Sequence, residues 1–510
     1  MYNILYILYH VGVYYIVQRF IKIVYHSIHM QDLEIIKVLN RYNPWWDNKP
    51  IPESKTSSFK QGDFYTIKST LGRREIASIV GPRRVGKTIL IHQLIQELLD
   101  NKIDPKRVLY LSVDEIELNR GGAELKHILE AYFKYIVKKP FDELEETHYL
   151  FLDEIQELQD WEKILKNWYD LGYKLKFVIS GSSSIWISKG TEESLLGRIK
   201  TSIMMPLKFS EILRYRNILP DSFSEERKKV HATFIQAIET GNLLDFKKEL
   251  ERFTGLVTPK REAIEIELNR YLVVGGYPEF LEEKDYTKIA ESVRDKIKLI
   301  FFKDIVRYFR IRNPAVLEDL FKLLAKNSGN SLNIAKTAEI LDIQRPTLKD
   351  YMKYLTKAYL IKSSEFYSGS RKTRIRKQNK MYVLDAGIRN GISDYLDDAL
   401  LNDETELGLI VQGVVFDHLS RLKFNLEPGP ETDIFYWNNR KEIDFVMEVK
   451  RTAIPFEAKY RSRLPETTIT EIDNFLKEKK SPIGFVITKD LFKTEGNIIK
   501  IPLWLFLLII

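Results

Sequence analysis

The sequence predicts an α/β protein that opens on a parallel sheet covered by helices, and two observations carry the prediction. From Glu75 to about Met205, short apolar runs (Ile76–Val80, Val108–Val113, Tyr149–Leu152, Leu175–Ile179) alternate with amphipathic helical text. The first run leads into Gly81-Pro82-Arg83-Arg84-Val85-Gly86-Lys87-Thr88, and a stretch with Leu90, Ile91, Leu94, Ile95, Leu98 and Leu99 at helical spacing follows. A strand, a GxxxxGK[ST] loop and a helix in that order make a P-loop. Its glycines let backbone N–H groups turn inward around phosphate oxygens, the helix N-terminus favours an anion, and Lys87 sets a cation on the terminal phosphates. Thr88 offers a hydroxyl to Mg²⁺. ATP and Mg²⁺ are thus the expected ligands.

Bulk composition sets the limits. The chain has 510 residues and 44% hydrophobic content, enough for roughly three folded domains of about 150 residues each. Lys and Arg number 79 against 71 Asp and Glu, a balance of +8 that permits nucleic-acid contact without demanding it. There is no cysteine, which excludes disulfides, thiolate metal sites and Cys nucleophiles and fits a reducing, cytoplasmic compartment.

In chain order, residues 1–29 come first, almost wholly apolar from Ile4 to Val17 before Gln18, Arg19 and Lys22 interrupt. The run is shorter than the roughly 20 residues that span a bilayer, and no basic leader or small-residue cleavage site marks a signal peptide. Three readings stay open: a start-site artefact with translation from Met30, a peripheral segment, or a membrane anchor. Asn43-Pro44-Trp45-Trp46 and the Pro50/Pro52 pair read as an irregular lead-in. Tyr149-Leu150-Phe151-Leu152-Asp153-Glu154 has the Walker B form. A buried strand delivers Asp153 to hold Mg²⁺, and Glu154 polarises the attacking water as general base. The next strand ends in Ser180-Gly181-Ser182-Ser183-Ser184, where a hydroxyl could sense the γ-phosphate or simply make a small-residue turn. Arg198 is a candidate arginine finger, acting in its own subunit or in a neighbour's within a homo-oligomer. Beyond Leu219, highly charged helical text through about Glu267 reads as a lid or connector.

Together GPRRVGKT, FLDEIQ (Phe151 to Gln156), SGSSS, LLGR ending at Arg198, PLKFSE (Pro206 to Glu211), YLVVGGYPE (Tyr271 to Glu279) and Lys303-Asp304-Ile305 carry a resemblance. Over about residues 35–510 the chain resembles archaeal and bacterial AAA-superfamily ATPases, close to the STAND group, that carry a C-terminal restriction-endonuclease-like domain. The P-loop alone is generic, whereas the ordered set is specific, and it implies architecture and ATP use rather than a pathway.

Between Pro314 and Ile388 the residues suggest a winged helix-turn-helix. One helix holds Leu317, Leu320, Phe321 and Leu324, a second Ala335, Ala338 and Leu341, and a third buries Leu348, Tyr351, Met352 and Leu355. The outer face of the third offers Arg345, Lys349 and Lys353. Two strand-like runs follow, and their connection carries Arg371, Lys372, Arg374, Arg376, Lys377 and Lys380 without an acid. Such a wing fits the phosphate backbone of duplex DNA; a solvated hairpin and a protein-docking module are the other readings.

From about Leu407 the text reads as a helix, three strands, a helix and a further strand. Asp444 and Glu457-Ala458-Lys459 match the PD-(D/E)xK pattern, in which two carboxylates grip Mg²⁺ beside a scissile phosphate and a lysine orients water. Glu448-Val449-Lys450 is a decoy, too close to Asp444 on one strand to leave room for a hairpin. The resemblance implies an acid on the upstream helix, and Asp417 is the residue offered. The expected division is a P-loop core with its lead-in over 30–215, a helical lid over 216–310, a winged helix over 311–395 and a nuclease-like α/β domain over 396–510.

Overall fold

The computed structural model describes residues 32–113, 124–181, 195–306, 309, 311, 313–427, 433–439, 441–461 and 464–510. The apolar segment 1–29 and Ser182 to Ser184 lie outside the described residues. The chain divides into two compact units, one of residues up to Gly81 with Gly86–Met204, the other of Pro82–Val85 with Met205–Ile510.

In the first unit a helix over 32–42 (α1) and a helix Gly62–Lys68 (α2) precede the sheet. Strand β1 (Ile76–Val80) is buried at every position, which is why its sequence is apolar at all but Ser78 and not alternating. After it come α3 (Lys87–Asp100), β2 (Val108–Ser112), α4 (Leu125–Tyr132), β3 (His148–Asp153), α5 (Trp161–Asp170), β4 (Leu175–Gly181) and β5 (Ile199–Ile203). The five strands pair in parallel in the order β2-β3-β4-β1-β5. Insertion of β4 between β1 and β3 brings the ends of all three together at the carboxyl edge of the sheet, where open α/β sheets bind ligands.

The edge strand β2 is clasped by the lead-in. Asn43 accepts from the Tyr110 amide at 2.6 Å and donates to the Tyr110 carbonyl at 2.9 Å, and the indole N–H groups of Trp45 and Trp46 both donate to the Val108 carbonyl. The segment read as irregular thus satisfies an otherwise open strand edge.

The second unit begins with helices α6 (Phe209–Tyr215), α7 (Ser224–Thr240), α8 (Leu244–Val257), α9 (Arg261–Val274) and α10 (Tyr286–Leu299), the last running into a π-helix, Ile300–Val306. Three helices, α11 (Pro314–Lys326), α12 (Ile334–Ile340) and α13 (Arg345–Lys357), precede an antiparallel pair, β6 (Ile361–Ser364) and β7 (Lys380–Val383). The connection of that pair is partly helical. Ser370 accepts from the Thr373 amide and starts a short helix α14 (Arg371–Arg376), so the cations are displayed helically.

After α15 (Ala386–Ile392) and α16 (Glu404–Leu426) a mixed sheet forms from β8 (Ile434–Asn439), β9 (Lys441–Val449), β10 (Thr452–Lys459), β11 (Gly484–Thr488), β12 (Lys493–Glu495) and β13 (Ile498–Pro502). Its order is β12-β13-β11-β10-β9-β8, with β8, β9 and β10 antiparallel and β10, β11 and β13 parallel. Helix α17 (Glu466–Lys479) supplies Ile472, Phe475 and Leu476 to a core with Trp437, Val446 and Val486. The apolar C-terminus completes strand β13 and then forms a buried helix, α18 (Leu503–Ile509). No helix among the described residues is long and apolar enough to cross a membrane.

Candidate functional site

Chain geometry first shapes the loop after β1. Gly81 has φ 154°, and a Cβ there would lie 2.0 Å from the Met204 carbonyl oxygen; Gly86 has φ 103° and caps α3. Both conformations exclude side chains, and the loop closes on itself. Lys87, buried at the start of α3, donates to the Gly81 carbonyl at 3.0 Å and so folds back over the loop. A loop of this form, with inward glycines, a helix N-terminus and a lysine over it, fits a nucleotide phosphate chain.

Next to it the strand-end acid is heavily bonded. The Thr88 hydroxyl donates to Asp153 Oδ2 at 2.7 Å, the Tyr110 phenol donates to the same oxygen at 3.1 Å, and the Ser180 hydroxyl donates to Oδ1. Ser180 also accepts from the Glu154 amide at 3.3 Å, linking the two acids. Thr88 and Asp153 together present the oxygens that a hard divalent cation takes. His92 binds the Thr88 carbonyl through Nδ1 and lies 4.5 Å from the Tyr110 ring; burial pushes its imidazole below the usual range, so it is neutral at pH 7. Tyr110 and His92 were not singled out from sequence. A tyrosine inside a strand and a histidine inside a helix look like ordinary core residues, and only the register of β2 against β3 aims Tyr110 at Asp153.

The other loop residues belong to the second unit. Arg83 makes a bidentate pair with the buried carboxylate of Asp304, at 2.8 and 2.7 Å, and Arg84, at φ 63°, pairs with Glu279 at 3.2 Å. Pro82 and Val85 are buried. Asp304 comes from Lys303-Asp304-Ile305 and Glu279 from the Gly-Gly-Tyr-Pro-Glu stretch, so two motifs with no evident chemistry in the sequence are ion-pair partners of the loop arginines.

Arg198 stands elsewhere. It forms a bidentate pair with Asp170 at 2.6 and 3.1 Å, which lowers the Asp170 carboxyl, and its carbonyl accepts from Ile76 at the start of β1. In a parallel sheet that is the edge opposite the loop, so Arg198 is not brought to the loop of its own chain.

In the mixed sheet the antiparallel register of β9 and β10 brings Asp444 and Glu457 together. Glu457 accepts from the Asp444 amide at 2.9 Å and Asp444 from the Ala458 amide at 3.0 Å; Lys459 lies 2.5 Å from Glu457 and 3.8 Å from Asp444. Burial, then the charge of Asp444, raises the Glu457 carboxyl above the usual range. Burial lowers the Lys459 ammonium, but the two carboxylates outweigh it and hold it raised. Asp417 does not join them. It is paired with Arg421 at 2.8 Å and lines a cavity with Tyr271, Asp385 and Arg389. The residue of α16 that reaches the cluster is Gln412, which donates to Asp444 at 3.0 Å. Five residues advance a helix about 140° beyond a full turn, so Gln412 and Asp417 face different ways. The decoy Glu448 accepts from the Tyr367 phenol at 3.1 Å, apart from this cluster. Tyr382, fully buried, has a hydroxyl with no hydrogen-bond partner among the described residues; burial and then Asp444, Glu442 and Glu457 raise it well above the ordinary phenol.

Of the cations predicted to meet DNA, Arg345, Lys349, Arg371, Lys372, Arg376 and Lys377 are exposed. Arg374 is not free, since its guanidinium donates to the Ser368 carbonyl and lies 4.6 Å over the Phe435 ring.

Comparison with known proteins agrees with the first unit. Residues 73–213 match the family described as AAA domain, residues 265–399 match the domain of unknown function DUF8612, and residues 407–506 match DUF4143. The chain is 27% identical over 434 residues to the uncharacterized protein MJ1544 of Methanocaldococcus jannaschii, covering 84% of this chain and 79% of that one. A Haemophilus influenzae protein is 24% identical over 442 residues, covering 84% and 90%. Among solved structures, the Aeropyrum pernix ORC2 protein in its ADP form has a TM-score of 0.30 at 13% identity, over 73% of this chain and 98% of that one. The loop after β1, the acids after β3 and the match over residues 73–213 agree that this segment is an AAA-type, nucleotide-binding ATPase domain.

Proposed function

We propose that the protein is a Mg²⁺-dependent ATPase whose nucleotide state switches a DNA-binding, nuclease-like second unit. The observation that carries the ATPase half is the convergence of Thr88, Ser180 and Tyr110 on Asp153 beside the loop of Gly81 and Lys87. Bound Mg²⁺ would neutralise charge on the terminal phosphates. The residues of this chain do the rest. Lys87 leaves the Gly81 carbonyl to meet phosphate, Thr88 and Asp153 hold the cation, and Glu154 takes the proton of the attacking water.

The other half rests on placement. The three helices α11 to α13 with the β6/β7 pair follow the winged-helix pattern and carry exposed cations on α13 and α14. The sequence α16, β8, β9, β10, α17, β11 follows the nuclease-like pattern, with Asp444, Glu457 and Lys459 at its centre. One observation favours a second reading, a regulatory ATPase whose nuclease-like part only binds. Gln412, an amide, stands where the resemblance implies an acid, and among the described residues no third carboxylate joins Asp444 and Glu457.

ATP turnover with Mg²⁺, with and without duplex DNA, tests the first half. Hydrolysis by the wild type, abolished in Lys87→Ala and in Glu154→Gln, is the expected result; wild-type protein inert in both conditions overturns it. Supercoiled DNA with Mg²⁺ and ATP tests the second: nicking lost in Lys459→Ala supports cleavage, and binding without cleavage supports the regulatory reading.

A further inference from the structure

The short segment after Asp153 is bent by a costly conformation. Glu154 has φ 55° and ψ 45°, the left-handed region that a residue with a side chain enters only at a cost. Ile155 is fully buried directly after it, and the Glu157 amide donates to the Glu154 carbonyl at 3.1 Å, closing a tight 3₁₀ turn. Anchored by Ile155, the turn folds residue 156 back toward residue 154. Gln156 is itself buried, 7% exposed, and its side-chain amide donates to the Glu154 carboxylate. A glutamine at a buried position needs a reason, and no part of the reading above uses it.

We propose that Gln156 is a positioning residue for Glu154, orienting its carboxylate toward the attacking water. The chemistry follows from the donor. An amide N–H bonded to a carboxylate fixes one oxygen so that the other is presented in one direction, toward the water a general base must reach. A free glutamate on a strand end would sample several rotamers, and a carboxylate misplaced by an ångström loses much of its rate contribution. The left-handed turn is what makes the bond possible, since an extended strand would point residues 154 and 156 the same way along one face without bringing amide and carboxylate together. Gln156 touches neither nucleotide nor water in this role.

The inference rests on the ATPase reading with Glu154 as base, and the two fail separately. Steady-state ATP turnover is measured for wild type, Glu154→Gln, Gln156→Leu and Gln156→Glu, each checked for folding by thermal melt, with nucleotide affinity from a fluorescent ATP analogue. Gln156→Leu keeps the volume and removes the donor; Gln156→Glu keeps the volume and sets a like charge beside Glu154. The expected result is a fall in kcat of about 10- to 100-fold in both, the size that supporting partners of a reacting group commonly show. KM and analogue affinity stay within about twofold, a split between kcat and KM that a merely structural role would not give. Wild-type kcat in a folded Gln156→Leu or Gln156→Glu protein, with Glu154→Gln inactive, overturns the inference and leaves the ATPase reading standing. Affinity lost in step with kcat assigns Gln156 to the structure of the loop and overturns it as well. Wild-type turnover in Glu154→Gln, or no turnover in the wild type, overturns the reading and the inference together.

Discussion

Asp153 accepts from three side-chain hydroxyls, and these partners come from α3, β2 and β4. Removing one should therefore cost affinity for Mg-ATP without unfolding the unit. Tyr110→Phe is expected to weaken Mg²⁺-dependent nucleotide binding by roughly tenfold, as loss of an outer partner of a metal ligand does, measured by titrating Mg²⁺ against analogue fluorescence. Gly81→Ala should be far more severe. Its Cβ would meet a backbone oxygen at 2.0 Å, so the loop must open, and nucleotide binding is expected to vanish in the same assay. Glu457 gives a pH dependence whose sign is fixed by its environment. Its folded carboxyl binds a proton more tightly than an unfolded one, so between the ordinary glutamate value and the raised one the native state holds more protons. Stability of the second unit should fall as pH rises through that window. Urea midpoints across pH check this, and Glu457→Gln should flatten the slope.

At the scale of elements, the lead-in earns its place by closing an edge. Asn43→Ala leaves the Tyr110 amide and carbonyl without their partners on a buried strand, which should cost about 1–3 kcal/mol of unfolding free energy, read from the urea transition. The strands of the first sheet were legible because a parallel sheet buried on both faces writes itself as apolar runs. The expected Ile76–Val80 is the observed strand to the residue and the runs for β2, β3 and β4 differ by one or two, whereas the edge strand β5, with Lys200, Thr201 and Ser202 and no buried position, was not among the expected runs. The backbone form of the basic connection was not legible, because a run of cations without an acid says nothing about it; it is the Ser370 cap that makes it helical.

For the molecule as a whole, the cations free to meet a phosphate backbone differ from those that sequence alone offers. Arg371, Lys372, Arg376 and Lys377 are exposed, while Arg374 is spent on Phe435 and Ser368. If the surface binds duplex DNA, Arg371→Ala/Arg376→Ala should reduce the slope of log affinity against log salt by about 1 to 2, and Arg374→Ala should instead lower thermal stability. An unchanged slope in the double variant removes DNA from the proposed function.

By itself the sequence determined the loop, its strand and helix, the Asp-Glu strand end and the pairing of Asp444 with Glu457 and Lys459. Each is written in a local pattern or in the spacing of a hairpin, and short-range geometry fixes such features. The tertiary structure alone decided that Tyr110 serves Asp153, that Asp304 and Glu279 hold the loop arginines, that Arg198 sits on the far edge of its sheet, and that Gln412 takes the place expected of Asp417. Those depend on strand order, register and helix phase, which bring together residues far apart in the chain, and Gln156 gains its meaning from a left-handed turn that its residue type does not announce.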